Sequence, residues 1–90
     1  MSRAVAVTVT GRVQGVSFRY YAQEEARRAR VAGWVRNEPD GSVALHVEGD
    51  DDAVEAMLAW CREGPAYARV ERVDVRDVES TGARGFDVRG

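Results

Sequence analysis

The chain has 90 residues, enough for a modest core, and we expect a single domain over residues 1–90. Its 13 basic residues are all arginine, and its 15 acidic residues bring the net charge to −2, which excludes a strong general attraction for nucleic acid or anionic membranes. The absence of lysine excludes Walker-type phosphate loops and Schiff-base chemistry. The single cysteine excludes an internal disulfide, and without a recognisable signal peptide or apolar spanning run we expect a cytoplasmic protein.

The first predicted elements are a strand and a helix. In residues 4–10 valine alternates with alanine or threonine, the period-two pattern of a half-buried strand. Apolar residues recur at helical spacing over residues 18–30, so we expect a helix there. Ser17 stands at the N-cap position of this helix, and capping is its expected role. Glu24 and Arg28, four residues apart, form a predicted ion pair on the polar face.

A hairpin is predicted after the helix. Residues 31–37 form an extended stretch, and Pro-Asp-Gly at residues 39–41 is typical of a tight turn, because proline fixes φ and glycine accepts a positive φ. The strand after the turn alternates, with Val43, Leu45 and Val47 on one face. His46 lies on the other face, where we expect it to be exposed or half-exposed and to have no catalytic role.

A second helix and two further strands complete the predicted fold. The core face of the helix has i, i+3, i+4, i+7 spacing and consists of Val54, Met57, Leu58 and Cys61. The acidic run at residues 50–52 suits a helix start, where we expect it to complement the helix dipole and to cap the helix, and we do not expect it to bind a metal. Gly64 and Pro65 end the helix. Residues 69–78 alternate as a long strand, and residues 86–88 can add a short one.

The element order predicts an α+β fold. Right-handed crossovers turn β-α-β-β-α-β into a ferredoxin-like sandwich, with an antiparallel sheet of order 4-1-3-2 and both helices on one face. A short extra C-terminal strand is expected beside it. Strands one and two then run in the same direction, so the loop before the first helix and Asn37 at the end of the second strand lie along the same edge of the sheet.

The loop between the first strand and the first helix is a candidate anion site. A helix N-terminus leaves its first N–H groups unpaired and carries partial positive charge, which suits phosphate. Arg19 adds a planar fork of donors that matches phosphate oxygens. From the loop alone the alternative stays open, because many such loops carry a glycine and an arginine and bind nothing.

Asn37 is the single asparagine of the chain. Its amide has both a donor and an acceptor, so beside a bound phosphate it could orient a water for in-line attack on phosphorus. Phosphoryl transfer depends mainly on positioning and charge stabilisation and needs no protein nucleophile. Taken alone, Asn37 fits a turn-forming residue beside Pro39 better than a catalytic one.

Two motifs resemble the signatures of the acylphosphatases. GRVQGVSFR at residues 11–19 resembles their G-x-V-Q-G-V-x-F-R signature. GWVRN at residues 33–37, with Asp-Gly at residues 40–41, resembles their G-W-V-R-N-x-x-D-G signature. The spacing of the motifs and the terminal FDVR also fit, so the resemblance covers essentially the whole chain. One departure is Arg30, which stands where the family usually has a glycine; it concerns the end of the first helix and not the chemistry.

The resemblance implies hydrolysis of the carboxyl-phosphate bond of acylphosphates to a carboxylate and inorganic phosphate, without a metal or cofactor. It implies that Arg19 binds the phosphate and that Asn37 orients the attacking water. It also implies that backbone N–H groups of the loop assist in binding, those of Gln14, Gly15, Val16, Ser17 and Phe18. The expected partners are a small-molecule acylphosphate and inorganic phosphate, as product and competitor; we expect a monomer with no nucleic-acid or membrane partner.

Two other functions are known for domains with a similar motif or element order. A similar domain at the front of hydrogenase-maturation proteins handles carbamoyl phosphate, but a chain of 90 residues favours a free-standing enzyme. RNA-recognition motifs share the element order and place aromatic side chains on the open faces of the two central strands. The corresponding positions here carry no aromatic residue and no basic stripe, so RNA binding is the weaker hypothesis: Thr8, Thr10, Ala44, His46 and Glu48.

Overall fold

The computed structural model describes residues 2–90, which form five strands and two helices in the predicted order. The elements are β1 (Ser2–Arg12), α1 (Phe18–Ala29), β2 (Ala32–Asn37), β3 (Val43–Asp50), α2 (Asp51–Glu63), β4 (Arg69–Asp77) and β5 (Phe86–Arg89). Each bound lies within a few residues of its predicted position. The ferredoxin-like arrangement is therefore confirmed.

The five strands form one sheet of order β4-β1-β3-β2-β5. Its first four strands have the predicted order, and every pair among them is antiparallel. The terminal strand differs, because β5 pairs in parallel with β2, from Gly33 opposite Phe86 to Arg36 opposite Arg89. The reason is topological: β4 ends at the edge of the sheet where β2 begins, so a strand that continues from that edge beside β2 runs in the same direction. The sheet is thus mixed.

The core lies between the sheet and the two helices. Both helices contribute the faces that their spacing predicts, including Phe18 and Ala22 from α1 and Met57 from α2. Cys61 is fully buried in this cluster, which confirms its predicted core position, and burial raises the pKa of its thiol to about 12. Neither helix within residues 2–90 has the length and apolar character needed to cross a membrane.

Two glycines let neighbouring strands approach each other closely. Gly11 has a φ of 134° and sits at a bulge between β1 and β4, where a Cβ would lie 2.2 Å from the carbonyl oxygen of Arg69. Gly33 has a φ of 141°, and a Cβ there would lie 1.7 Å from the carbonyl oxygen of His46. Because both φ values are positive and both spaces are closed, only glycine fits at either position.

The open face of the sheet is partly covered, so the predicted exposure of His46 is wrong, whereas its predicted face is correct. The segment between β4 and β5 crosses this face, and His46 is only 8% exposed. Its Nε2 lies 2.5 Å from Oε2 of Glu48, which is itself buried. Glu48 accepts hydrogen bonds from the crossing segment through Ser80 Oγ at 2.6 Å, the Thr81 N–H at 2.8 Å and the Gly82 N–H at 3.2 Å.

Burial alone would raise the pKa of Glu48. The hydrogen bonds from Ser80, Thr81 and His46 outweigh that effect and hold the pKa of this carboxyl well below its usual range. Glu48 is thus a buried, charged anchor for the segment that leads into β5.

The end of α1 keeps the geometry that a glycine usually supplies. Arg30 has a φ of 64°, its N–H donates to the carbonyl oxygen of Arg27 at 3.3 Å, and the N–H of Val31 donates to that of Ala26 at 3.0 Å. The α-helix thus ends at a residue with a left-handed backbone, and an arginine adopts this conformation at an energetic cost that a glycine would not carry.

Two smaller predictions about the helices are not met. Arg28 pairs with Glu25 at 2.7 Å and not with Glu24, which instead accepts a hydrogen bond from the Tyr20 hydroxyl at 3.1 Å. Asp50 occupies the N-cap position of α2 but makes no capping hydrogen bond with its side chain, so the acidic start acts on the helix through charge only.

Candidate active site

Arg19 and Asn37 line one cavity of about 490 Å³ at the end of the sheet where β1, β2 and β5 finish. The sequence prediction that these two residues lie along one edge is thereby met. The other lining residues are Val13, Gly15, Ser17, Phe18, Tyr20 and Val88. A guanidinium, a helix N-terminus and a carboxamide therefore converge on a single open space.

The loop between β1 and α1 has the backbone shape of an anion-binding nest. Gly15 and Ser17 both have left-handed backbone angles, with φ of 73° and 62°. Among residues 2–90, no protein acceptor takes a hydrogen bond from the N–H groups of residues 14–18. Consecutive N–H groups in such a conformation point into one concavity, and the start of α1 adds partial positive charge.

Ser17 does not cap the helix with its side chain, so that prediction is wrong. An N-cap residue is normally extended, which carries its hydroxyl over the first turn, whereas the left-handed backbone of Ser17 turns the side chain away. Its carbonyl oxygen accepts a hydrogen bond from the Tyr21 N–H at 3.1 Å. A left-handed non-glycine residue costs about 1–3 kcal/mol, and such strain tends to occur at functional sites.

Both ends of the loop are fixed by buried side chains. Val13 is 1% exposed and Phe18 is 2% exposed. Phe18 also packs against Trp60 of α2, with ring centroids 5.1 Å apart. The loop is therefore held in shape by the core and does not depend on a ligand for its order.

Arg19 is oriented by the last strand. Its guanidinium donates a hydrogen bond of 3.2 Å to the carbonyl oxygen of Arg89, at the end of β5. The strand is tied to α1 a second time, because Gln23 Nε2 donates to the carbonyl oxygen of Phe86 at 2.8 Å. The terminal strand thus contributes both a wall of the cavity, Val88, and a partner for Arg19.

The side chains of Gln14 and Val16 do not line the cavity. Val16 packs partly against the core and lines a neighbouring depression with Tyr21 and Tyr67. Gln14 Nε2 instead donates to the carbonyl oxygens of Glu38, at 2.8 Å, and Ser42, at 2.9 Å, in the turn that follows Asn37.

Comparison with known proteins identifies the family. The family model described as Acylphosphatase matches residues 5–88. The chain belongs to the acylphosphatase family. A protein named acylphosphatase from Nocardioides sp. (strain ATCC BAA-499 / JS614) is 67% identical over 89 residues, which covers 99% of this chain and 90% of that relative.

Solved structures agree with this membership. The crystal structure of acylphosphatase from Bacillus subtilis is similar over 100% of both chains, with a TM-score of 0.94 and 34% identity. The structure of full-length HypF in its phosphate- and nucleotide-bound form is also similar, with a TM-score of 0.90 and 26% identity, but this chain covers only 12% of that longer one. The fold thus occurs both at this length and as part of a larger protein.

Three cavity residues were missed by sequence reasoning. Val13 and Tyr20 lie inside or directly after the first acylphosphatase motif, so their adjacency to it was a usable signal. Val88 could not be placed, because its position depends on the parallel pairing of β5 with β2. Tyr20 is 57% exposed, so it forms an outer wall of the cavity.

Residues 2–90 contain no group of three or more His, Cys, Asp or Glu side chains arranged to hold a metal ion.

The open face of the sheet bears on the nucleic-acid hypothesis. There, Trp34 of β2 stacks with His46 at 6.2 Å between ring centroids. The guanidinium groups of Arg36 and Arg89 lie 4.8 Å and 5.1 Å from the centroid of Trp34, so this ring is already occupied by protein cations. The absence of a nucleic-acid partner stays a prediction.

Proposed function

We propose that this chain hydrolyses the carboxyl-phosphate bond of acylphosphates by direct attack of water on phosphorus. The observation that carries the proposal is that Arg19, Asn37 and the loop between β1 and α1 line one cavity in a member of the acylphosphatase family. In this mechanism the guanidinium and the N–H groups of residues 14–18 hold the phosphate oxygens. Their positive charge stabilises the transition state, which is the largest single contribution available to such a site.

Asn37 would hold the attacking water in line with the leaving group. Its carboxamide can accept a hydrogen bond from the water, and its place at the end of β2 makes it a rigid support. A phosphate oxygen of the substrate would accept the proton of the water, so no side-chain base is required. The leaving group is a carboxylate, which is weakly basic and departs without a general acid.

The small number of catalytic groups in the cavity predicts which substrates are hydrolysed. A phosphomonoester with an alkoxide leaving group needs protonation as its bond breaks, and the cavity offers no carboxylic acid or histidine among its lining residues. We therefore expect hydrolysis of benzoyl phosphate and very slow hydrolysis of a simple alkyl phosphate. The proposed partners are a small-molecule acylphosphate as substrate and inorganic phosphate as product and competitor. We propose that the enzyme acts as a cytoplasmic monomer.

Hydrolysis in ¹⁸O-labelled water tests the bond that breaks. Attack on phosphorus places the label in inorganic phosphate, and label in benzoate would contradict the proposal. Asn37→Ala should lower kcat by about 10²–10³-fold, as expected for loss of a preorganised group, with the inhibition constant of inorganic phosphate nearly unchanged. Arg3→Ala removes a hydrogen-bonding side chain at the opposite end of β1 from the cavity and is the control for folding.

A further inference from the structure

Gln14 links the phosphate loop to the turn that carries Asn37. Its single Nε2 lies within hydrogen-bond distance of two carbonyl oxygens, those of Glu38 and Ser42, at 2.8 Å and 2.9 Å. These are the first and last residues of the connection between β2 and β3, and Asn37 directly precedes it. The bond spans 24 residues of sequence, so it is a tertiary contact and not a local one.

The turn has its own hydrogen bonds, and Gln14 closes them into one unit. The Glu38 N–H donates to the Ser42 carbonyl oxygen at 2.9 Å, and Asp40 Oδ1 accepts from the Ser42 N–H at 2.9 Å. These contacts fix the shape of the turn but not its position relative to the phosphate loop. Within residues 2–90, the side-chain hydrogen bonds between that loop and this turn are the two from Gln14.

We propose that Gln14 is a positioning residue, which acts through Asn37 by fixing the distance between the water-holding amide and the phosphate loop. This inference rests on the proposed function. The loop itself does not need Gln14, because buried Val13 and Phe18 fix its two ends. Loss of the Gln14 side-chain amide therefore frees the turn and the Asn37 carboxamide that precedes it. The phosphate loop stays in place.

In-line attack is sensitive to such freedom. A misplacement of about 1 Å between reacting groups can cost on the order of 10²-fold in rate. Misplacement of the water should lower kcat and leave phosphate affinity unchanged, because the groups that bind the ground-state phosphate keep their positions. A merely structural role for Gln14 would lower stability without separating kcat from phosphate binding.

The test is a double-mutant cycle on kcat for benzoyl phosphate. Gln14→Met keeps the length of the side chain and removes its donor, and we expect kcat to fall about 10- to 100-fold. The inhibition constant of inorganic phosphate should change by less than about threefold, because the cradle is intact. In the Asn37→Ala background, Gln14→Met should lower kcat by less than about threefold further, because the two residues act as one unit.

Arg3→Met is the control. It removes a tertiary side-chain hydrogen bond, from Arg3 Nη1 to Glu55 Oε2 at 2.5 Å, at the opposite end of β1 from the phosphate loop. We expect its kcat to stay within about twofold of wild type. If Gln14→Met does not fold, judged by circular dichroism, Gln14→Ala removes the same donor without adding a charge and should give the same loss of kcat.

The results separate the positioning role of Gln14 from the proposed role of Asn37 in hydrolysis. A kcat for Gln14→Met within about threefold of wild type overturns the inference, as do losses that multiply fully with those of Asn37→Ala. An Asn37→Ala variant with wild-type kcat overturns the proposed role of Asn37 itself, and the inference with it. A reduced kcat in Asn37→Ala together with full multiplication rejects Gln14 as a positioning residue and leaves the proposed function standing.

Discussion

Replacement of Glu48 by glutamine should destabilise the fold strongly although it changes one atom. The two carboxylate oxygens share five donors: Oε1 accepts from Ser80 Oγ and the Gly82 N–H, and Oε2 accepts from the Thr81 N–H, Thr81 Oγ1 and His46 Nε2. A glutamine has one acceptor oxygen. Whichever oxygen becomes the NH₂ group, at least one backbone N–H, of Thr81 or of Gly82, then faces a donor.

The magnitude follows from these contacts. A buried donor without a partner costs about 1–3 kcal/mol, and hydrogen bonds to a charged group are worth about 1.5–3 kcal/mol net, more than those to a neutral amide. Together they predict a loss of roughly 3 kcal/mol in the free energy of unfolding for Glu48→Gln. For a chain of this size 1 kcal/mol shifts Tm by roughly 4–8 °C, so Tm should fall by about 12–24 °C.

Urea unfolding at neutral and acid pH measures this effect. The folded-state pKa of Glu48 lies below its ordinary value of 4.5, so its charged form stabilises the fold above pH 4.5 and that contribution is lost as the pH falls further. The difference in stability between wild type and Glu48→Gln should therefore shrink below pH 4.5. Glu79→Gln, on an exposed residue of the same crossing segment, is the control and should stay near wild type. A loss below about 1 kcal/mol for Glu48→Gln at neutral pH would mean that the five hydrogen bonds to Glu48 do not stabilise the fold as proposed.

Two further predictions concern the helices. Arg30→Gly should raise the free energy of unfolding by about 1 kcal/mol, because glycine adopts the left-handed backbone of the α1 end without the penalty that arginine carries; equal or lower stability in urea unfolding would contradict this. Cys61 should react with a thiol reagent such as DTNB at pH 8 only as fast as the chain unfolds, because the thiol is fully buried with its pKa raised to about 12, and fast labelling of the native protein would contradict that placement.

The element order and the meeting of Arg19 with Asn37 were predictable from sequence. Hydrophobic periodicity separates strands from helices, and the handedness of crossovers makes β1 and β2 parallel in direction. Any two residues at the ends of those strands then share an edge. The site therefore followed from topology before any distance was known.

Positions set by long-range contacts could not be predicted. Period-two alternation assigned His46 to the open face, which is correct, but nothing in the pattern indicates that residues 78–82 cross that face and bury it. Ser17 and Arg30 have left-handed backbones that local preferences assign to glycine, because the surrounding fold outweighs about 1–3 kcal/mol of local cost. The side chain of Gln14 likewise has a partner 24 residues away, which no spacing rule indicates.

The proposed mechanism depends on the Arg19 guanidinium, which binds the phosphate that is released. Initial rates of benzoyl phosphate hydrolysis by wild type and by Arg19→Ala measure this dependence. Arg84→Ala, in the segment between β4 and β5 and away from the cavity, is the matched arginine control and should keep wild-type activity. We expect Arg19→Ala to fold normally and to retain less than about a tenth of wild-type turnover, since it loses a charge-assisted contact to the transferring group. A folded Arg19→Ala variant with more activity than that would contradict it.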